Sequence, residues 1–166
     1  MEKQFESRFV RDTALAKEIY QYLFFKKPLN MVLDILMVLV FVVNLTVSIL
    51  TQVWNNGLFL FVIPAFFGYQ IYLYRKAVKT MVEQEKEINN GAHISVVITA
   101  DEEGFTQTTS TGTESVLKYG DIKKVMLTKH LLLIQSYENL LYTIRKDAFT
   151  QGTAEEFLTL LKEKGK

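Results

Sequence analysis

Polar and apolar positions along this chain fall into three regimes, and the middle regime is almost pure hydrocarbon. From Leu29 to Leu50 the sequence LNMVLDILMVLVFVVNLTVSIL holds one formal charge, Asp34. Wound as a helix at ~1.5 Å per residue, such a run covers the ~30 Å apolar layer of a bilayer. A second run, Leu58 to Tyr74, LFLFVIPAFFGYQIYLY, has no charge at all and stands at the short end of the spanning range. TQVWNNG, residues 51–57, joins them and is short enough for a tight turn. The pattern predicts a transmembrane helical hairpin, with spans at 29–50 and 58–74.

The first regime, residues 1–28, precedes the hairpin. In KQFESRFV, Phe5, Ser7 and Phe9 fall on one side, which predicts a strand. Asp12 or Thr13 then offers an N-cap to a helix over DTALAKEIYQYLFF, with Leu15, Ile19, Tyr22 and Leu23 as its apolar stripe. FFKK ends that helix, and Pro28 suits the first turn of the next. This amphipathic helix lies either along the inner headgroup surface or against the soluble domain. Beyond Tyr74, RKAVKTMVEQEKEI keeps helical spacing, so residues 75–90 extend the second span until Asn89-Asn90-Gly91 stops it.

From His93 the period changes to two. ISVVITA, FTQTTS, ESVLKY, IKKVMLTK, LLLIQSY and LLYTIRK read as six short strands separated by turns. A helix closes the chain, with Thr153 and Glu156 forming a capping box and Phe157, Leu158, Leu160 and Leu161 its buried face. Residues 91–166 are therefore expected to form an antiparallel β-barrel or sandwich capped by a C-terminal helix, giving a membrane α+β protein.

Charge changes the picture only where it is local. The net charge is +1, from 19 basic and 18 acidic residues, which gives no general attraction to nucleic acid. Lys3, Arg8, Arg11, Lys17, Lys26 and Lys27 precede the first span, and Arg75, Lys76 and Lys79 follow the second, while the connecting turn has no basic residue. Positive charge stays inside, so the expectation is a multi-pass protein of a bacterial cell membrane with both termini cytoplasmic. Trp54 suits the outer interface, and Tyr69, Tyr72 and Tyr74 the inner one. The first run is too long for a signal-peptide core and lacks a small-residue cleavage pattern after it.

Two sets of candidate contact residues follow. In the first span Asn30, Asp34, Met37, Phe41, Asn44, Ser48 and Thr51 form one stripe; in the second, Gly57, Phe61, Ala65, Gly68 and Tyr72 form another, small enough for close approach. Folding about the turn sets Asp34 beside Arg75, Asn44 beside Pro64, and Ser48 beside Leu60. Asp34 is then expected to pair with Arg75 or a nearby lysine, with Asn44 or Ser48 serving the carbonyl that Pro64 leaves without a donor. The second set is basic. Lys26, Lys27, Lys76 and Lys79 flank the spans, and Lys123, Lys124, Lys129, Arg145 and Lys146 form a candidate face on the domain for headgroups or a partner.

Catalytic chemistry finds no foothold. There is no cysteine, and His93 and His130 are the only histidines, neither near a carboxylate at ligand spacing. The serines have no histidine and acid partners that spacing suggests. Asp101, Glu102 and Glu103 make a turn too short for a calcium loop. No metal, no cofactor and no enzymatic activity are expected.

The segments ISVVITADEEGFTQTT, YGDIKKVMLTKHLLLI and LLYTIRKDAFTQGTAEEFLTLLKEK, together with the hairpin, resemble the YcxB-like family of bacterial membrane proteins. The resemblance implies a pleckstrin-homology-like (PH-like) cytoplasmic domain of seven strands and one helix, with the N-terminal KQFESRFV as candidate seventh strand, beside a two-helix hairpin, and it brings no activity with it. The reading is a non-catalytic membrane protein whose PH-like domain serves as a binding or scaffold module for a protein or peptide at the inner face. The alternative is an immunity protein against a bacteriocin or membrane-active toxin, since some small bacterial proteins of similar build have that role. Lipid bilayer is the expected partner in either case.

Overall fold

A computed structural model describes residues 5–52 and 57–165, with residues 57–60 described by backbone only. The expectations for Trp54 and for the Ser48–Leu60 contact lie outside the described residues. The chain divides into two compact units: residues up to Glu18 together with those from Val82 on, and Ile19–Met81.

The first unit is mixed α and β. Its strands are β1 (Phe5–Val10), β2 (Ser95–Ala100), β3 (Gly104–Thr109), β4 (Glu114–Lys118), β5 (Ile122–Leu127), β6 (Leu131–Ser136), β7 (Leu141–Arg145) and β8 (Phe149–Gln151). All pairs are antiparallel, in a five-stranded sheet β4-β3-β2-β1-β8 and a three-stranded sheet β5-β6-β7. The six strands expected after His93 all form. The barrel alternative does not: the sheets do not close on each other. A 3-10 turn at Tyr119–Asp121 carries the chain out of β4 and into the second sheet, so β5 pairs with β6 and not with β4.

The N-terminal strand is internal to its sheet. β1 pairs with β2 in the register Ser7↔Ile98 and with β8 in the register Ser7↔Phe149. Alternation holds: Ser7 and Phe9 are buried while Arg8 and Val10 are exposed. Phe5 meets the Phe157 ring at 5.4 Å, and Phe157 also meets Phe105 at 6.3 Å and Phe149 at 5.8 Å. These aromatic contacts join both ends of the chain in one core.

Phe157 belongs to α4 (Ala154–Lys164), which starts with the expected capping box. Thr153 Oγ1 accepts from Glu156 N at 3.2 Å, and Thr153 N donates to Glu156 Oε2 at 3.0 Å. Ala154, Phe157 and Leu161 are its buried positions, whereas Leu158 and Leu160 are half-buried. Near its end, the Lys164 ammonium lies 5.7 Å from the Tyr119 ring centroid. The Tyr119 hydroxyl donates to Asp101 O at 2.9 Å, and burial, with the Asp101 charge nearby, pushes the phenol up to about 12.

Strand β6 is buried at Leu131, Leu132, Leu133 and Ile134, on both faces at once. One face turns to the aromatic core, as Ile134's register partner Tyr142 meets Phe105 at 5.3 Å. On the other face Leu131 shares a cleft with Leu15 of α1 (Thr13–Gln21). Helix α1 thus starts against the sheet, the second of the two settings weighed above. Leu15 and Ala16 are its fully covered positions within this unit, at 3% and 1% exposure.

The second unit holds most of the two long helices, α2 (Pro28–Thr51) and α3 (Gly57–Ile88). Among the described residues, only α2 is both long and apolar enough to cross a bilayer. Most of its large apolar side chains between Leu29 and Leu50 are exposed, which in water would cost about 25 cal/mol per Å². The expected second span falls in the front of α3. There the run from Phe61 includes Pro64 and Gln70 and reaches Arg75-Lys76 within the next turns, so length and composition alone do not establish a second crossing. α3 ends as expected: Asn90 and Gly91 take positive φ, and Gly91 N donates to Lys86 O at 2.7 Å.

Candidate functional site

The sequence that turns the chain from α1 into α2 builds an aromatic corner bearing cations. After Gln21 the helix widens into a π-helical stretch, Tyr22–Lys26, and Lys27 leaves it in an extended conformation that Pro28 requires of its predecessor. That exit strands the last carbonyls. Asn30 satisfies two of them, its Nδ2 donating to Leu23 O at 2.9 Å and Phe24 O at 3.1 Å. With the corner fixed, Phe24 and Phe25 both set ring edges against Tyr74 of α3, at 6.4 and 5.6 Å, and Tyr20 meets Phe24 at 6.4 Å. Lys26 and Lys27 follow directly on Phe25, and Arg75 and Lys76 follow directly on Tyr74; all four are exposed. Lys79 lies one turn further along α3.

The arrangement is an aromatic cluster of Tyr20, Phe24, Phe25 and Tyr74 with two exposed basic pairs next to it in sequence. Tyrosine rings favour the headgroup level of a bilayer.

Along the hairpin, the two expected stripes fare differently. On α2 the covered positions include Asn30, Asp34, Met37, Phe41, Asn44 and Ser48 of the stripe read from sequence, with Val40 and Leu45 beside them, while Thr51, the last member of that stripe, is exposed. On α3 they include Ile63, Phe66, Phe67, Gln70, Leu73, Tyr74, Ala77 and Val78, whereas Phe61, Ala65, Gly68 and Tyr72 are exposed. The α3 stripe is thus displaced by two residues, about 200° around a helix. A Cβ added at Gly68 would meet nothing within 4 Å, so this glycine permits no close approach. On the covered face of α3, Gln70 Nε2 donates to Asp34 Oδ1 at 3.0 Å. Asp34 therefore has an amide partner in place of the expected Arg75 or lysine.

The other polar residues of α2 also settle differently from expectation. Asn44 Nδ2 donates to Val40 O of its own helix at 2.8 Å, one turn back, and does not reach the backbone around Pro64. Ser48 is 1% exposed, yet its hydroxyl has no hydrogen-bond partner. A helix side chain reaches its own i−4 carbonyl more readily than a backbone across the hairpin.

The basic face expected on the domain is split. Lys123 and Lys124 lie on β5 and Arg145 on β7, and β6 runs between them. Arg145 is held by Asp147, with Nε to Oδ1 at 3.0 Å and Nη2 to Oδ2 at 2.7 Å. That pairing raises the guanidinium and holds the Asp147 carboxyl below the usual range. Lys146 Nζ donates to Thr128 O at 2.6 Å, and Lys123 Nζ to Asn139 Oδ1 at 3.3 Å. Lys124 and Lys129 are exposed.

Arg145 instead lines a cleft of about 220 Å³ with Asp12, Glu18, His130 and Asp147. Three carboxylates make this a poor anion site. Glu18, which no sequence pattern singles out, accepts from Thr128 Oγ1 and from His130 N at 2.7 Å. Burial raises its carboxyl, but those hydrogen bonds and the nearby His130 and Lys146 outweigh it and hold Glu18 below its ordinary value. It is a clamp from α1 onto the β5–β6 turn.

Residues 100–161 match the model of the YcxB-like protein family, so that stretch is a YcxB-like domain. No curated protein and no solved structure matches the chain. The matched stretch runs from the end of β2 into α4, while β1 and the rest of β2 complete the same sheet from outside it.

Proposed function

We propose that the chain is a non-catalytic membrane protein whose α2–α3 hairpin crosses the bilayer twice. In this reading the YcxB-like domain serves as a PH-like binding or scaffold module on the cytoplasmic side, and the collar at Lys26, Lys27, Arg75 and Lys76 holds anionic headgroups. The observation that supports it is the contact of Phe24 and Phe25 with Tyr74, which gathers the basic pairs from both ends of the hairpin. The Asp34–Gln70 bond adds that α2 and α3 share a depth. If α2 spans, Gln70 sits near its basic end, and the residues from Gln70 back to Gly57 rise ~20 Å through the layer. The basic residues of the collar then mark the cytoplasmic side.

The test is lipid retention by the full chain. Purified protein is equilibrated with mixed phosphatidylglycerol and phosphatidylcholine, and bound lipid is read by native mass spectrometry. Wild type is expected to keep phosphatidylglycerol preferentially. The variant Lys26→Gln, Lys27→Gln, Arg75→Gln, Lys76→Gln is expected to lose most of that preference, and Lys124→Gln with Lys129→Gln to keep it. An unchanged preference in the fourfold variant would count against the collar.

A further inference from the structure

Strand β4 is an outer strand of the five-stranded sheet, and its free edge has a pattern that fits itself. The ladder to β3 pairs Thr106↔Val116 and Gln107↔Ser115. It is flanked by Thr109 N to Thr113 O at 2.9 Å and Tyr119 N to Glu103 O at 3.2 Å. Bonded pairs recur every second residue in an antiparallel ladder. Ser115 and Leu117 therefore give their backbone groups to β3, and Glu114, Val116 and Lys118 point theirs outward. The same three residues have their side chains on the exposed face, with Val116 66% exposed. An open edge with an apolar centre is a template for another strand.

Charge decides which strand. A lysine on an edge discourages pairing with strands in general, but here Glu114 stands four residues before Lys118. Set antiparallel to its own copy about a two-fold axis at Val116, the strand places Glu114 of each copy opposite Lys118 of the other, and Val116 opposite Val116. In that register every outward N–H and C=O of the three residues finds a partner at once. A shift by two residues would set charges opposite valine, and a shift by one would misalign the backbone groups. Opposite charges directly across a pair stabilise it, and like charges destabilise it.

We propose that the β4 edge is a homodimer interface, joining the five-stranded sheets of two chains into one continuous sheet through a two-fold axis at Val116. This goes beyond the membrane reading and does not depend on it.

The chain has no cysteine, so single cysteines report the interface in the full-length protein in its membranes. Val116→Cys brings two sulfurs onto a hydrogen-bonded pair with Cα atoms about 5.5 Å apart, within disulfide range. Thr106→Cys, in register one strand inward, would stand about 14 Å from its copy, three strand spacings. Under mild oxidation Val116→Cys is expected to give covalent dimer and Thr106→Cys almost none. Adding Glu114→Lys to Val116→Cys is expected to lower the yield about tenfold by opposing lysines in both pairs. Adding Lys118→Glu to that variant is expected to restore it. A Val116→Cys yield no higher than that of Thr106→Cys, or a loss that the charge swap does not restore, overturns the proposal.

Discussion

Gln70 Nε2 donates to Asp34 Oδ1 at 3.0 Å, binding α3 to the one charged residue of the long apolar run in α2. Gln70 lies on the covered face of α3 with Ile63 and Phe67, and it offers an amide where an ion pair was expected. Interhelical hydrogen bonds in membranes average only ~0.6 kcal/mol and reach ~1.7 at most. A double-mutant cycle with Asp34→Ala and Gln70→Ala, measured by unfolding the full chain in bicelles, is expected to give a coupling in that range. Strict additivity of the two changes would show that the bond does not form.

The displaced stripe on α3 reverses an obvious guess about small residues. Gly68→Leu is expected to leave hairpin stability unchanged, because the space around Gly68 is open. Ser48→Leu overfills a buried position and is expected to cost about 1–3 kcal/mol. Ser48→Ala removes a buried hydroxyl without a partner and is expected to be neutral or stabilising. The same bicelle unfolding measurement ranks the three, and a Gly68→Leu penalty larger than that of Ser48→Leu would contradict the packing described.

Strand β1 makes a sharper demand on the domain. Phe9 is 7% exposed on its inner face, and Phe9→Ala is expected to destabilise by about 3–5 kcal/mol. Arg8 is on the outer face, its guanidinium bonded to Glu6 two residues away, and Arg8→Ala is expected to stay within about 0.5 kcal/mol. Thermal unfolding of the full chain followed by circular dichroism checks both. Equal effects would mean that β1 is not an internal strand.

How much of this was legible in the sequence depends on how local each signal is. The period of two announced six strands, Thr153 with Glu156 announced α4, and Asn89-Asn90-Gly91 announced the end of α3, because each rests on neighbours along the chain. The short β8 escaped notice: Phe149–Gln151 is too brief to show a period, and it becomes a strand because β1 offers it an edge. Glu18 escaped for a similar reason, since its partners lie more than a hundred residues away. The stripe on α2 was readable because nearly all its polar residues lie on it. On α3 small residues suggested the wrong face, and the large side chains of Ile63, Phe66 and Phe67 are covered with Gln70 instead. The barrel expectation failed at Tyr119–Asp121, where three residues of 3-10 turn redirect the chain.

Acid should act on the Glu18 clamp in a defined direction. Hydrogen bonds outweigh burial and hold Glu18 below its ordinary value, and Arg145 holds Asp147 down as well. The folded domain binds these protons more weakly than the unfolded chain. Their stabilisation is complete above the ordinary carboxylate pKa and is lost as pH falls through the depressed values. Glu85 runs the other way: burial raises it despite Arg11 at 3.3 Å, so its contribution is present below its ordinary value and lost as pH rises through the raised one. The melting-temperature gap between wild type and Glu18→Gln is expected to be widest near neutral pH and to close toward about pH 3. A gap that is constant with pH would mean Glu18 is not the clamp described.

The central claim is a chain that enters and leaves the membrane on one side, with the YcxB-like domain held there. Single cysteines at Asn55 and Lys164, in a chain that otherwise has none, test it in intact cells with a membrane-impermeant thiol reagent. The account predicts labelling at position 55 and protection at position 164 until the cells are permeabilised. Labelling at both positions would mean that α2 crosses alone, and labelling at 164 without 55 would invert the topology; either result contradicts the account.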